Sequence, residues 1–281
     1  MRKRFRFYLL SIAAGCLFVF LAACSGKEGR DLPRPLNYEM RNFGKVYHDG
    51  GEGIEDDVYC MFRYPVFSDG DHAETINRYL LNWVANLRFL SPAEPGEIYT
   101  GSITIEELAD NFFEEYEASK KELSGYWPYQ FKLRGFVLLN RSGLLTVELF
   151  YFVYLGGAHD YGHTEYFVFD TRTGKRLGLN DVFAEGFEDR LNKLIDTWYR
   201  MMKGLSSTER LDGEKSMLTE NYIHFNDNFA ITDKGVTFFY NMYEIARYAR
   251  GPTKIDLPYS ELMDILRPEF KKAMGLEDVM Q

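Results

Sequence analysis

From Ile76 to Leu90 apolar side chains return every third or fourth residue: Ile76, Tyr79, Leu80, Trp83, Val84, Leu87 and Leu90. That period predicts an amphipathic helix. Asp71 and Glu74 stand three apart ahead of it, a capping box with Asp in place of Ser or Thr, and Ser91-Pro92 supplies a stop. Thr104 and Glu107 repeat the cap, Ile105, Leu108, Phe112, Tyr116 and Leu123 continue one face, and Gly125 ends it. On either side the pattern is extended. "KVYHDGGEGIEDDVYCMFRYPVF" places a Gly-rich turn between two runs and predicts a hairpin. From Tyr129 "YQFKLRGFVLLN", "GLLTVELFYFVYL" and "TEYFVFD" read as strands, with turn chemistry in "NRSG" and "DTRTGK". A third helix is expected over Phe187–Lys203, with Leu191, Leu194, Ile195 and Trp198 inward. The polar loop "SSTERLDGEK" follows, then a hairpin turning at Asp233-Lys234-Gly235 and a short helix over Ser260–Leu266. Strands grouped with helices, rather than alternating strictly with them, predict an α+β fold: antiparallel sheets with helices packed on them, in two successive subdomains.

The start of the chain changes the picture. "MRKRFRF" carries Arg2, Lys3, Arg4 and Arg6 and no acid, and the 16 residues "YLLSIAAGCLFVFLAA" carry no charge. A basic start, an apolar middle too short to span a bilayer and small residues at the end describe a signal peptide. Leu21-Ala22-Ala23-Cys24 resembles the lipobox of bacterial lipoproteins, which implies cleavage after residue 23 and acylation of Cys24. Residues 1–23 are then a leader, 24–36 a polar, Pro-containing tether, 37–160 a first domain and 161–281 a second. The expected location is extracytoplasmic and membrane-anchored, the partner there being the lipid membrane, held through acylated Cys24. Loss of the leader removes four positive charges and no negative ones from a chain whose formal charge is already −9. Such a body repels nucleic acid and anionic lipid and attracts cationic partners. Cys60, left alone in "VYCMFRY", reads as a buried small hydrophobe.

"YLGGAHDYGH" (Tyr154–His163) concentrates candidate chemistry. His159 and His163 form H-x-x-x-H, which could bind zinc on a helix, but two glycines precede it and strand-like runs flank it. His48, His72 and His224 lie in no supporting motif, and "FSDGD" lacks the adjacent aspartates of a deacetylase. A displayed turn fits better: Gly156 and Gly157 permit positive φ, Asp160, Tyr161 and Gly162 suit a loop tip, and His159 either holds the loop or faces a partner. Glu244, with Tyr243 and Tyr248, is a recognition edge or a satisfier of backbone groups or of Arg247. No Ser-His-Asp arrangement, nucleotide loop or paired acid/base carboxylates stand out, so neither an enzyme nor a cofactor is expected.

"YLGGAH", "FDTRTGKRLGLNDVF", "NFAITDKGVTFFYN" and "YEIARYARG…IDLPYSEL" occur in that order. Together they resemble the paired domains of unknown function in RsiV-type anti-sigma factors and the non-catalytic module of PdaC-type peptidoglycan deacetylases, over roughly Asn37 to Leu266. The resemblance implies a two-part α+β extracytoplasmic fold with its seam near the Gly-Gly-Ala-His turn. It also implies a binding role, toward a cationic lysozyme-like muramidase or toward cell-wall glycan. The residues expected to meet the partner are Gly156, Gly157, His159, Asp160, Tyr161, His163, Tyr243, Glu244 and Tyr248.

Overall fold

The computed structural model describes residues 33–48, 57–94, 96–122 and 127–276. Cys24 and the leader lie outside the described residues. Strands β1 (Asn37–Tyr47), β2 (Val58–Ser68), β3 (Tyr129–Arg141), β4 (Leu144–Leu155) and β5 (Tyr161–Asp170) form one sheet in that spatial order. Helices α1 (Ala73–Ala85) and α2 (Ile105–Glu122) connect β2 to β3. Because that connection crosses over through two helices, β3 returns in the direction of β2 and the pair is parallel. The sheet is therefore mixed, not antiparallel throughout as the hairpin signals suggested. Next come α3 (Leu179–Val182) and α4 (Glu188–Lys203), and then an antiparallel sheet of β6 (Phe229–Ile231), β7 (Gly235–Tyr240) and β8 (Thr253–Pro258). The chain closes with α5 (Tyr259–Leu262) and α6 (Pro268–Met274). The architecture is α+β.

The two expected helix caps differ. At α2 the Thr104 hydroxyl accepts from the Glu107 N–H at 3.2 Å and a Glu107 carboxylate oxygen accepts from the Thr104 N–H at 2.8 Å, a complete capping box. At α1 the box does not form: His72 is the cap residue, so the third helical position is Thr75 and Glu74 falls one place early. Helix α1 also stops at Ala85, short of Leu90, because the Asn86 side chain turns the chain by pairing with the Tyr99 backbone at 2.8 and 3.0 Å.

Two cores lie on opposite faces of the five-stranded sheet. Phe62, Phe131, Leu133, Leu149, Phe167 and Phe169 face Ile76, Leu80, Leu108 and Phe112 of α1 and α2. The other face supplies Leu139, Leu144 and Val168 to a core built with α4 and β6–β8. Leu133 and Leu139 would share a face by simple alternation, but a bulge between Val137 and Leu139 shifts the pleat and sends Leu139 to the second core.

The division at 160/161 corresponds to no break in the structure. Strand β5 pairs with β4 along its length, so the first sheet runs to Asp170, and Val168 on that strand enters the second core while Phe167 and Phe169 enter the first. The tether also ends earlier than 36. Leu36 is buried, its N–H donates to Asn140 Oδ1 at 3.0 Å and its carbonyl accepts from Asn140 Nδ2 at 2.8 Å. Strand β5 would be an open edge, but two buried asparagines of the second unit seal it. Asn241 Oδ1 accepts from the Thr164 N–H at 2.8 Å and Asn228 Oδ1 from the Tyr166 N–H at 2.9 Å, while both amide groups donate to the Thr164 carbonyl. These side chains occupy the place of a sixth strand.

Candidate functional site: the loop tip of the large sheet

The loop between β4 and β5 is shaped by two glycines. Gly156 has φ 72° and Gly157 φ 149°, both in the region that side chains rarely enter. A Cβ on Gly156 would lie 2.5 Å from Cβ of Trp127, so the loop presses on that tryptophan. The Tyr154 hydroxyl closes the turn, donating to the Gly157 carbonyl at 3.1 Å and lying 3.3 Å from the Gly157 N–H. His159 and Asp160 are thereby displayed toward the second unit. The His159 ring stacks on Tyr248 at 5.2 Å, and the Tyr248 hydroxyl donates to Asp160 Oδ1 at 3.2 Å. That hydrogen bond, followed by burial, raises the Tyr248 phenol above its ordinary value.

Tyr243 extends the row, its ring 5.5 Å from that of Tyr248. Its backbone is left-handed, φ 68°, and its side chain is 62% exposed. A non-glycine residue in that conformation is strained, and the strain persists only where neighbours enforce it. Glu244 is the enforcer: one carboxylate oxygen accepts from the Asn241 N–H at 2.8 Å and the other from Asn226 Nδ2 at 2.5 Å. One Glu244 oxygen thus satisfies a backbone N–H while the residue stays exposed. Asn241, the same residue that seals β5, thus ties the Tyr243 turn to the sheet.

Gly156, Gly157, His159, Asp160, Tyr243, Glu244 and Tyr248 therefore converge. Tyr161 and His163 turn to the other side of the sheet, although Tyr161 stays near enough to Glu244 to feel its charge. They lie on β5 with side chains on the helix face, where His163 stacks on Tyr151 at 5.4 Å and faces Glu165 at 3.4 Å. The two imidazoles of H-x-x-x-H consequently serve different neighbours, because the strand that begins at Tyr161 replaces the helical spacing a shared metal requires. Among the described residues, no three His, Cys, Asp or Glu side chains gather as metal ligands would. Cys60 is buried, and burial holds its thiol well above the ordinary value, away from thiolate chemistry. Trp127, 48% exposed, belongs to the tip and was not singled out from sequence. Its close approach to Gly156 joins residues far apart in the chain, which has no linear signature.

Residues 53–161 match the family model described as Deacetylase PdaC, and residues 180–260 match the one described as Protein of unknown function (DUF3298). No curated protein is significantly similar to the chain. A DUF3298-family protein of Bacteroides fragilis NCTC 9343 shares the fold with a TM-score of 0.65 at 20% identity, over 86% of this chain and 97% of that one. A second, from Pseudomonas aeruginosa PAO1, gives 0.60 at 19% identity, over 85% and 98%. Among the described residues no helix is long and apolar enough to cross a membrane. Both family matches fall in order along one continuous fold, so the chain resembles a PdaC-type domain followed by a DUF3298-type domain.

Proposed function

We propose that this protein is a non-catalytic binding module of the cell envelope, anchored through acylated Cys24, and that the loop tip takes a cationic protein of the lysozyme-like muramidase class. The observation that carries the reading is Tyr243, a strained and exposed aromatic held beside Tyr248, His159 and Asp160. Exposed aromatics with a carboxylate at their edge are suited to desolvated contacts with an Arg- or Lys-rich surface. The chain's formal charge of −9 adds long-range attraction to such a partner.

The test is a calorimetric titration with lysozyme at low salt. Heat should be seen, should shrink as salt rises, and should fall at least tenfold in affinity for Tyr243→Ala. An absence of heat together with no retention on immobilised lysozyme removes the muramidase reading. Co-sedimentation with purified peptidoglycan in its place, insensitive to salt, would assign the tip to glycan. Mass spectrometry of membrane-extracted protein checks the anchor: Cys24 should carry the acyl chains and be the first residue.

A further inference from the structure

The sheet face opposite α1 and α2 carries a feature the loop tip does not use. Arg63 on β2 and Arg134 on β3 are direct register partners and so project side by side on that face. Both are exposed, and neither has an ion pair or hydrogen bond among the described residues. Lys132 is the next residue of β3 on this face, its ammonium 4.7 Å from the Tyr59 ring. Like charges placed directly opposite in a sheet repel, and with 42 acids in the chain a compensating partner would be easy to supply. Across β1–β4 the one carboxylate on this face is Glu148, hydrogen-bonded by Tyr166 and close to Lys254. The arginine pair is left open.

Next to the cations lies an aromatic shelf. Phe150 is the β4 partner of Arg134 and Phe152 that of Lys132. Both rings are half-buried, and Phe136 on the same face is exposed. Two guanidinium forks on adjacent strands, about 5 Å apart, suit one oxyanion with three or more oxygens better than a carboxylate, which a single fork satisfies. Rings flush with a sheet suit the faces of sugar rings and do not protrude as membrane-inserting side chains do. A cationic island on an acidic body also favours a narrow ligand, since an extended anionic surface would meet the surrounding acids as well.

We propose that Arg63, Arg134 and Lys132 bind a phosphate group of an anionic glycan whose sugar rings lie along Phe150 and Phe152. This site uses different side chains from the loop tip and goes beyond the reading given for it.

The experiment measures binding of the full chain to immobilised phosphorylated dextran, plain dextran and carboxymethyl dextran, and to phosphatidylglycerol vesicles. Phosphorylated dextran should be retained and plain dextran should not. The Arg63→Gln/Arg134→Gln variant should lose at least tenfold in affinity for it. That variant should melt no lower than the parent, because it relieves a repulsion. Lysozyme titration of the same variant should be unchanged, which separates a failure here from a failure at the tip. Equal retention on carboxymethyl dextran, binding to the vesicles alone, or full binding by the double variant would each overturn the proposal.

Discussion

The carboxamide of Asn241 stands where a neighbouring strand's peptide group would. Replacing it with Ala leaves the Thr164 N–H buried without a partner, a loss of about 1–3 kcal/mol that urea unfolding will register. It should also loosen the Tyr243 turn, so Asn241→Ala should weaken partner binding without touching the partner. Glu148 provides a pH signature. Burial raises its carboxyl above the ordinary value, so the folded protein prefers the protonated form. Its favourable contribution is complete below the unfolded pKa and is lost as pH rises through the raised folded value. Glu148→Gln should therefore raise the melting temperature at pH 7 and make little difference at pH 4, by differential scanning calorimetry. Some of this residue-scale detail was legible in sequence: the paired glycines announced a turn of unusual φ. The strain at Tyr243 was not: the Asn241–Glu244 contact lies within "NMYEI", but the second anchor of Glu244 is Asn226, 18 positions away, and nothing in the stretch announces it.

At the scale of the element, the two helix starts form a controlled pair. Thr104→Ala removes a formed capping box and should cost about 1 kcal/mol, whereas Asp71→Ala, at a box that does not form, should be nearly silent in the same chemical-denaturation assay. Both sites read alike in sequence, since the spacing of an acid from a cap residue is identical. What separates them is where the helix actually begins, and that is set by the packing of Ala73 and Ile76 against the sheet rather than by the box. Periodicity located α1, α2 and α4 because each has one apolar face. It did not reveal the parallel β2/β3 pair, because a strand carries no mark of its neighbour's direction, nor β8, whose short run is interrupted by Lys254 and Asp256. The bulge at Val137/Leu139 was equally silent, although it decides which core Leu139 joins.

For the molecule as a whole, one sheet serves two cores. Leu139, Leu144 and Val168 lie on strands whose other face closes the α1/α2 core, so neither half can lose its order without exposing the other. Thermal unfolding should show a single transition, with equal calorimetric and van't Hoff enthalpies. Two separated transitions would mean that the shared strands do not couple the halves. The α+β class and the pairing of two family segments were both recognisable from the order of motifs. The family matches end at 161 and resume at 180, next to the boundary expected at 160/161, while the first sheet itself continues through β5, which is held by β4. The binding surfaces are also set at this scale: the tip gathers residues more than 80 positions apart, Asp160 and Tyr248 among them.

The asparagine seal on β5 decides how copies of this protein can associate. A sheet with two bare margins can add strands without limit and grow into a fibre. Here one margin of the five-stranded sheet is plugged by side chains from the same chain, and among the described residues no strand lies beside the outer side of β1. Edge-to-edge joining of two five-stranded sheets must therefore run through β1, and it terminates once two molecules have met.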